Sequence, residues 1–309
     1  MTGSSPLLAL PGAVEADGID TGVAAHYGDP LREQKALLAD EGFVDLSHRG
    51  VVRISGPDRL SWLHSLTTQH LLGLTPHTAV TTLILSPVGH VEHAIYGYDD
   101  GDSFWGHVEP GAAPSLVSWL DRMRFMLRVE VADVTDNWAV VAPTPTSVRL
   151  VPRDSLREGA LGAPVGTWAH EALRIARGEP RFGLDTDHKT IPNEVGWIGN
   201  AVHLDKGCYR GQETVARVHT LGRPPRRLVL LHLDGSVDHV PASGDPVVHG
   251  DRPVGVVGSA ARHFELGPIA LALVKRNVAI DASLVAGGVA AAQEVLVDPD
   301  VGLHVRARL

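Results

Sequence analysis

One short stretch of the chain holds its only thiol. Asp205 through Thr220 reads DKGCYRGQETVARVHT and sets Cys208 among Lys206, Arg210, Glu213, Arg217 and His219. Cations on either side and a helix start just downstream favour the thiolate, which is a nucleophile and a soft-metal ligand. The competing reading is a small buried apolar residue, a common fate of a free cysteine. The charged neighbours and two glycines, Gly207 and Gly211, weigh against burial, because glycine permits close approaches and backbone shapes that other residues resist. Gln212 to Val218 reads as helix, with Glu213 and Arg217 spaced i, i+4 for an ion pair.

The same region is basic. Lys206, Arg210, Arg217, Arg223, Arg226 and Arg227 face one carboxylate, Glu213, whereas the whole chain carries a net charge of −9. That overall charge repels phosphate backbones, so direct nucleic-acid binding is not expected. The local surplus points instead to an anion: a phosphate, a polycarboxylate tail or, against the average, RNA. Arginines that are merely solvated or structurally paired would read the same way.

Other constellations are weaker. A strand would place His90 and Glu92 on one face beside His93, yet 17 histidines make such pairings frequent. His170-Glu171 lacks a second histidine four residues on, and no metal site is expected. No CxxC, HExxH, GxSxG, P-loop or GxGxxG pattern is present, which removes support for zinc enzymes, nucleophile-elbow hydrolases, P-loop NTPases and standard dinucleotide folds. Trp168, Phe182 and Trp197 fall before, at the start of and within a long irregular stretch. There an aromatic either stacks on a flat heterocycle or fills core.

The elements that must position these residues follow from periodicity. Leu31 to Ala39 is helical, and FVDLSHRGVVRISG alternates like strands. Pro57 and Asp58 open a helix with Leu60, Leu63, Leu66 and Leu71 as its stripe. Strands follow at Thr78 to Leu85, Val91 to Tyr98 and Ser103 to Val108, then a helix from Ala112 to Met126 and the strand LRVEVADV. From Val51 to Val134 this is a ferredoxin-like plan with an extra hairpin strand. WAVVAPTP reads as a strand, 143–164 as strand and loop, and Trp168 to Arg177 as a helix closed by Gly178. Glu179 to Asp205 is a long loop, and such loops are usually functional or disordered. Beyond Pro225, short apolar runs broken by Gly, Pro and Asp read as a small β-barrel. The class is α+β.

Length and composition agree. A chain of 309 residues implies two or three domains. Its 33 Gly and 21 Pro suit many turns and strands. A single cysteine excludes an intrachain disulfide and fits a reducing cytoplasm. The first 18 residues lack the basic region of a secretory signal, and no apolar run is long enough to span a membrane. The expectation is a cytoplasmic protein.

KGCYRGQE, from Lys206 to Glu213, resembles the signature of the YgfZ-type folate-binding proteins, a branch of the glycine-cleavage T-protein superfamily that includes iron–sulfur maturation factors. TVARVHTLGRPPRRL resembles the continuation, and ALRIARGEPRFGLD, KTIPNEVGW and FVDLSHRGVVRISGPDRLSWLHSLTTQ extend the resemblance over roughly residues 26 to 280. It implies three modules around a central tetrahydrofolate site: 15–48 with 136–222, a ferredoxin-like module at 49–135, and a barrel at 223–309. It implies a functional motif of Lys206, Cys208, Tyr209, Gly211, Gln212 and Glu213. Phe182, Glu194 and Arg217 are implied for the folate pocket, Glu194 accepting from the pterin and Arg217 facing the glutamate end. The neighbouring aminomethyltransferase branch carries its catalytic Asp in a GGxxDD-like segment; this chain reads GHVEHA, with His93 and Ala94 at the acidic pair, and Thr68-Gln69-His70 where the transferase has Thr, Asn and Asp. The resemblance therefore implies a folate-binding accessory protein for iron–sulfur cluster assembly or repair, affecting tRNA modification indirectly through client or assembly proteins. The alternatives are a tetrahydrofolate-dependent aminomethyltransferase and an RNA-contacting factor. A single cysteine cannot hold a four-thiolate cluster alone.

Overall fold

The structure, a computed structural model, describes residues 4–157 and 161–303. Residues 158–160 of the expected strand-and-loop stretch and the last six of the expected barrel module lie outside the described residues. In chain order the elements are β1 (Val14–Glu15), β2 (Ala24–His26), α1 (Pro30–Leu38), β3 (Phe43–Asp45), β4 (Gly50–Ser55), α2 (Arg59–Leu66), β5 (Val80–Leu85), β6 (Val91–Asp99), β7 (Ser103–Val108), α3 (Ala113–Arg122) and β8 (Glu130–Asp133). There follow β9 (Trp138–Thr144), β10 (Ser147–Pro152), β11 (Pro164–Val165), α4 (Thr167–Ala176), α5 (Gln212–Leu221), β12 (Arg226–Leu233), β13 (Pro246–His249), β14 (Arg252–His263), β15 (Gly267–Lys275), β16 (Leu284–Ala286) and β17 (Val289–Val295). The chain is α+β, as its patterning predicts.

It forms two compact units. The first comprises Met1–Trp62, Leu72–Val80 and Ile95–Arg174; the second comprises Leu63–Leu71, Thr81–Ala94 and Ile175–Leu309. In the first, β9 pairs antiparallel with β10 and β3, and β11 joins β3 in parallel. Phe43, Ala139, Val141 and Leu156 form the core against this sheet, with Leu7 from the N-terminal lead-in. The ferredoxin-like strands run in the order β5-β6-β7-β4-β8, which is the expected plan with β5 as the extra strand. Helix α3 buries Leu116, Trp119 and Leu120 at helical spacing. It stops at Arg122, four residues before the predicted end, and Phe125 sits at φ 47° in the turn beyond. Likewise α2 ends at Leu66, so Leu71 is buried from the following turn and not from the helix stripe.

The second unit carries a closed barrel, β12-β15-β14-β13-β16-β17. Val229, Leu231 and Leu233 of β12 point into its interior with Val247, Val257, Ala272 and Val274. Closure pairs every edge, and the small alanines fit the narrow lumen. Leu228 and Leu230, on the other face of β12, are also buried, which is why the strand reads as a continuous apolar run rather than an alternating one. Burying each such Leu contributes about 1.5–3 kcal/mol, and Leu231→Ala would cost about 2–5 kcal/mol through the cavity left behind.

Candidate functional site

The KGCYRGQE segment is anchored on both sides of its cysteine. Lys206 is buried, and its ammonium donates to the main-chain carbonyls of His64 and Thr67 at the C-terminal end of α2. Those carbonyls lack helical partners and carry the negative end of the helix dipole, so a cation is the natural cap. The Tyr209 ring lies 4.9 Å from the same ammonium. Burial pulls Lys206 down to about 8 and pushes the Tyr209 phenol up to about 12. The turn that receives Lys206 is itself fixed: Thr68 Oγ1 donates to the Ala201 carbonyl at 2.6 Å and accepts from the Leu83 amide at 2.9 Å, while the Gln69 amide donates to the Asn200 carbonyl at 2.8 Å. Beside it the His70 ring meets His64 edge-to-face and lies tilted against His203, with ring centroids 4.9 and 5.4 Å apart. Burial and the neighbouring Lys206 charge lower the His64 imidazole.

Downstream, Gly211 caps α5 at φ 80°, and a Cβ there would lie 2.5 Å from the Ser86 carbonyl. Only glycine fits. Arg210 pairs with Glu92 of β6 at 3.0 Å. Between these anchors Cys208 is free and exposed. It lies four residues before the first helical residue, Gln212, outside the turn whose amides carry the helix-end charge. The flanking cations are directed elsewhere: Lys206 faces carbonyls and Arg210 faces a carboxylate.

The basic stretch disperses in the same way. Arg226 donates to Glu194 and Asp187, and Arg227 is fully buried, giving one nitrogen to the Val278 carbonyl and the Gln293 side chain. Arg217 and Arg223 are exposed. Glu213 and Arg217 do not form the predicted i, i+4 pair; both are solvated, where holding two long side chains together gains little.

Glu194 is the second focus. It is 1 % exposed and closes a short 3-10 turn, Pro192–Glu194, by accepting from the Ile191 amide at 3.2 Å. Arg226 grips its carboxylate with two nitrogens at 2.9 and 2.8 Å and reaches Asp187 at 2.6 Å. The guanidinium holds Asp187 well below the usual carboxylate range, and the two acids raise Arg226. Next to Glu194, the buried Asn193 has an unpartnered Oδ1. Asp185 accepts from the Arg181 amide and the Ser259 hydroxyl, which ties the loop to β14.

The long loop is thus ordered by polar contacts that leave no hydrophobic period to read. Arg217, expected at the glutamate end of a folate, is exposed on α5, and the cation on Glu194 is Arg226, which the sequence reading did not single out for this role. The signal was its place as the first residue of an apolar strand, where a charged side chain has little but a loop to meet. Phe182 is half-buried at the start of the loop, and Gln212, also half-buried, starts α5.

On β6 the segment GHVEHA presents few acids. Glu92 is the one carboxylate and is paired with Arg210; His93 is lowered by burial, and Ala94 is 2 % exposed. Among the described residues no group of His, Cys, Asp and Glu is arranged to hold a metal ion, and no helix is long and apolar enough to cross a membrane.

Residues 24–149 match the GCVT N-terminal domain, and residues 226–309 match the glycine cleavage T-protein C-terminal barrel domain. The chain belongs to the glycine cleavage T-protein superfamily. Within it, the chain is 26% identical over 314 residues to an aminomethyltransferase of Synechococcus sp. (strain CC9902), covering 82% of this chain and 85% of the relative. It is 25% identical over 285 residues to a putative chloroplastic transferase of Arabidopsis thaliana, covering 73% of this chain and 64% of that relative's length. The crystal structure of the glycine cleavage system aminomethyltransferase T from Bartonella henselae superposes with a TM-score of 0.79 over 96% of both chains at 16% identity, so it shares the fold.

Proposed function

We propose that this protein is a YgfZ-type, folate-binding accessory factor for iron–sulfur cluster assembly or repair, with Cys208 as its working thiol. The observation that carries the reading is the contrast within one segment: Lys206 and Tyr209 are buried as anchors, and Cys208 between them is held exposed. An exposed thiol on an anchored base can give up its proton on binding and supply one soft ligand to iron or to a cluster shared with a client protein, and it cannot hold a cluster unaided. Effects on tRNA modification would follow through iron–sulfur clients.

The residues fit tetrahydrofolate. The Glu194 carboxylate has three of its roughly four acceptor positions filled, and Asn193 Oδ1 is a buried acceptor without a partner. Together they offer acceptors to the amino and ring N–H groups of a pterin, with Arg226 holding the Glu194 carboxylate in one orientation. When bound, folate supplies a one-carbon carrier or a redox-active ring. Phe182 and Gln212 belong to the same proposed pocket and motif, and the three-module division, 15–48 with 136–222, 49–135 and 223–309, goes with the reading.

The second reading is aminomethyl transfer, favoured by the names of the curated relatives. The GHVEHA segment argues against it, since Ala94 offers no charge with which to stabilise a cationic reacting centre. A direct assay separates the two: tetrahydrofolate is titrated calorimetrically into the protein, and turnover of an aminomethyl-lipoyl carrier protein is followed. Binding without turnover is expected. Turnover would establish the transferase.

A further inference from the structure

One loop of the first unit carries apolar side chains that the fold leaves uncovered. Between α3 and β8, Phe125 is 84 % exposed, Met126 98 % and Leu127 44 %. Single exposed apolar residues are ordinary, but three in succession at one tip form a patch, and such patches mark interaction sites.

The loop is fixed at both ends. The Trp62 indole donates to the Met123 carbonyl at 3.0 Å, and the Leu127 amide donates to the Arg124 carbonyl at 3.0 Å. Asp58 accepts from the Arg128 amide at 2.9 Å and from the Arg128 guanidinium at 3.2 and 2.9 Å. Gly56 makes room for this end, since a Cβ there would lie 2.1 Å from the Arg128 carbonyl oxygen. Phe125 at the tip adopts φ 47°, a left-handed conformation unfavourable for an aromatic residue. With its ring outside the core, side-chain packing does not offset that strain. Strained backbone of this kind is concentrated in functional segments.

Charge decides what covers the patch. Three arginines, Arg122, Arg124 and Arg128, bracket it against one acid, Asp121, in a chain of net charge −9. Arg128 is taken by Asp58, and Arg124 lies 3.7 Å from Asp121 with both side chains half-exposed. Arg122 reaches only the Ser118 hydroxyl at 3.5 Å and has no carboxylate partner among the described residues. A second copy presenting the same tip across a two-fold axis would set arginines against arginines. An anionic bilayer repels a chain that is acidic on average. An acidic protein surface meets the loop with opposite charge, and aromatic residues, methionine and arginine are the types enriched at protein interfaces.

We infer that residues 122–128 dock into an acid-rimmed apolar cleft of a protein partner, with Phe125 and Met126 as anchors and Arg122 and Arg124 on the rim; this rests on the accessory-factor reading above, whose client or assembly proteins supply the partner.

The test is rescue of an iron–sulfur-dependent tRNA modification, at limiting expression, in cells lacking their own copy. The chains compared are wild type, Met126→Asp, Phe125→Gly, and Arg122 and Arg124 changed together to Gln or to Glu. Met126→Asp should lower rescue about tenfold, the scale of a central interface contact. The Gln pair should lower it about two- to fivefold, the scale of exposed charges, and the Glu pair further still. All variants should bind tetrahydrofolate as wild type does. Phe125→Gly relieves the left-handed strain, so it should lower rescue without lowering the thermal unfolding midpoint; a lower midpoint would make the ring structural and count against docking. Full rescue by Met126→Asp, or a Glu pair no worse than the Gln pair, would overturn the inference and leave the accessory reading standing. Binding to phosphatidylglycerol vesicles, or self-association in sedimentation, that Met126→Asp abolishes would also overturn it, by giving the loop to a lipid surface or a second copy. Failure of the wild type to rescue would overturn the accessory reading and this inference with it.

Discussion

The Glu194 cluster and the Cys208 segment belong to one compact unit and are built on opposite principles. Around Glu194 every charge is answered: Arg226 bridges Glu194 and Asp187, and the carboxylate closes its own turn. Around Cys208 the polar groups are spent on anchoring the backbone, and the thiol itself is left outside. The first arrangement suits holding a ligand in one orientation, since preorganised, oriented groups lose little freedom on binding. The second suits presenting an atom to another macromolecule. Stability should therefore reside in the groups around each site and not in the thiol.

The sharpest break of that contrast is Arg226→Met. It leaves the Glu194 carboxylate buried without its cation, and a broken buried pair costs about 3–5 kcal/mol, measurable as a lower urea midpoint with an unchanged slope. Gly211→Ala tests the other side. A Cβ at φ 80° beside the Ser86 carbonyl combines left-handed strain with a steric clash, and should destabilise by about 2–3 kcal/mol while loosening the Cys208 segment, seen as faster amide exchange across 206–214.

Lys206 offers a pH readout. Its folded value near 8 lies below the ordinary 10.5, so between those values the unfolded chain holds a proton that the folded chain has released, and stability rises with pH across that window. Below about pH 8 the desolvation cost is fully present. The difference in unfolding free energy between wild type and Lys206→Met should therefore shift in favour of wild type as pH climbs from 8 to 10; a flat difference would mean the ammonium is better solvated than its burial implies. The smallest effect belongs to Cys208→Ser, which should change stability by no more than about 0.5 kcal/mol, as expected of an exposed side chain. A larger loss would mean that the thiol is structural.

Much of this was legible in the sequence. Short apolar runs between Gly, Pro and Asp announced the barrel, and the strand and helix order from Val51 to Val134 announced the ferredoxin-like sheet, because both rest on local periodicity. The charged, glycine-flanked setting of Cys208 weighs against burial, but its exposure is settled only by the fold. What those charges do was not legible. Lys206 and Arg210 look like activators of the thiol from their spacing, yet their partners lie 139 and 118 residues away in sequence, at Thr67 and Glu92. Arg226 escaped for the same reason: its partners, Asp187 and Glu194, sit in a loop without periodicity, and only the fold brings them together. The end of α3 was overrun because Met123 to Met126 continues the apolar stripe, whereas Phe125 adopts a left-handed turn that periodicity cannot signal.

The central claim is that an exposed thiol on an anchored, folate-binding scaffold serves iron–sulfur chemistry. The measurement that tests it most directly is rescue of an iron–sulfur-dependent tRNA modification in cells lacking their own copy, by wild type and by Cys208→Ser, with folate affinity of both proteins measured alongside. The account predicts equal folate binding and rescue by wild type alone; full rescue by Cys208→Ser would contradict it.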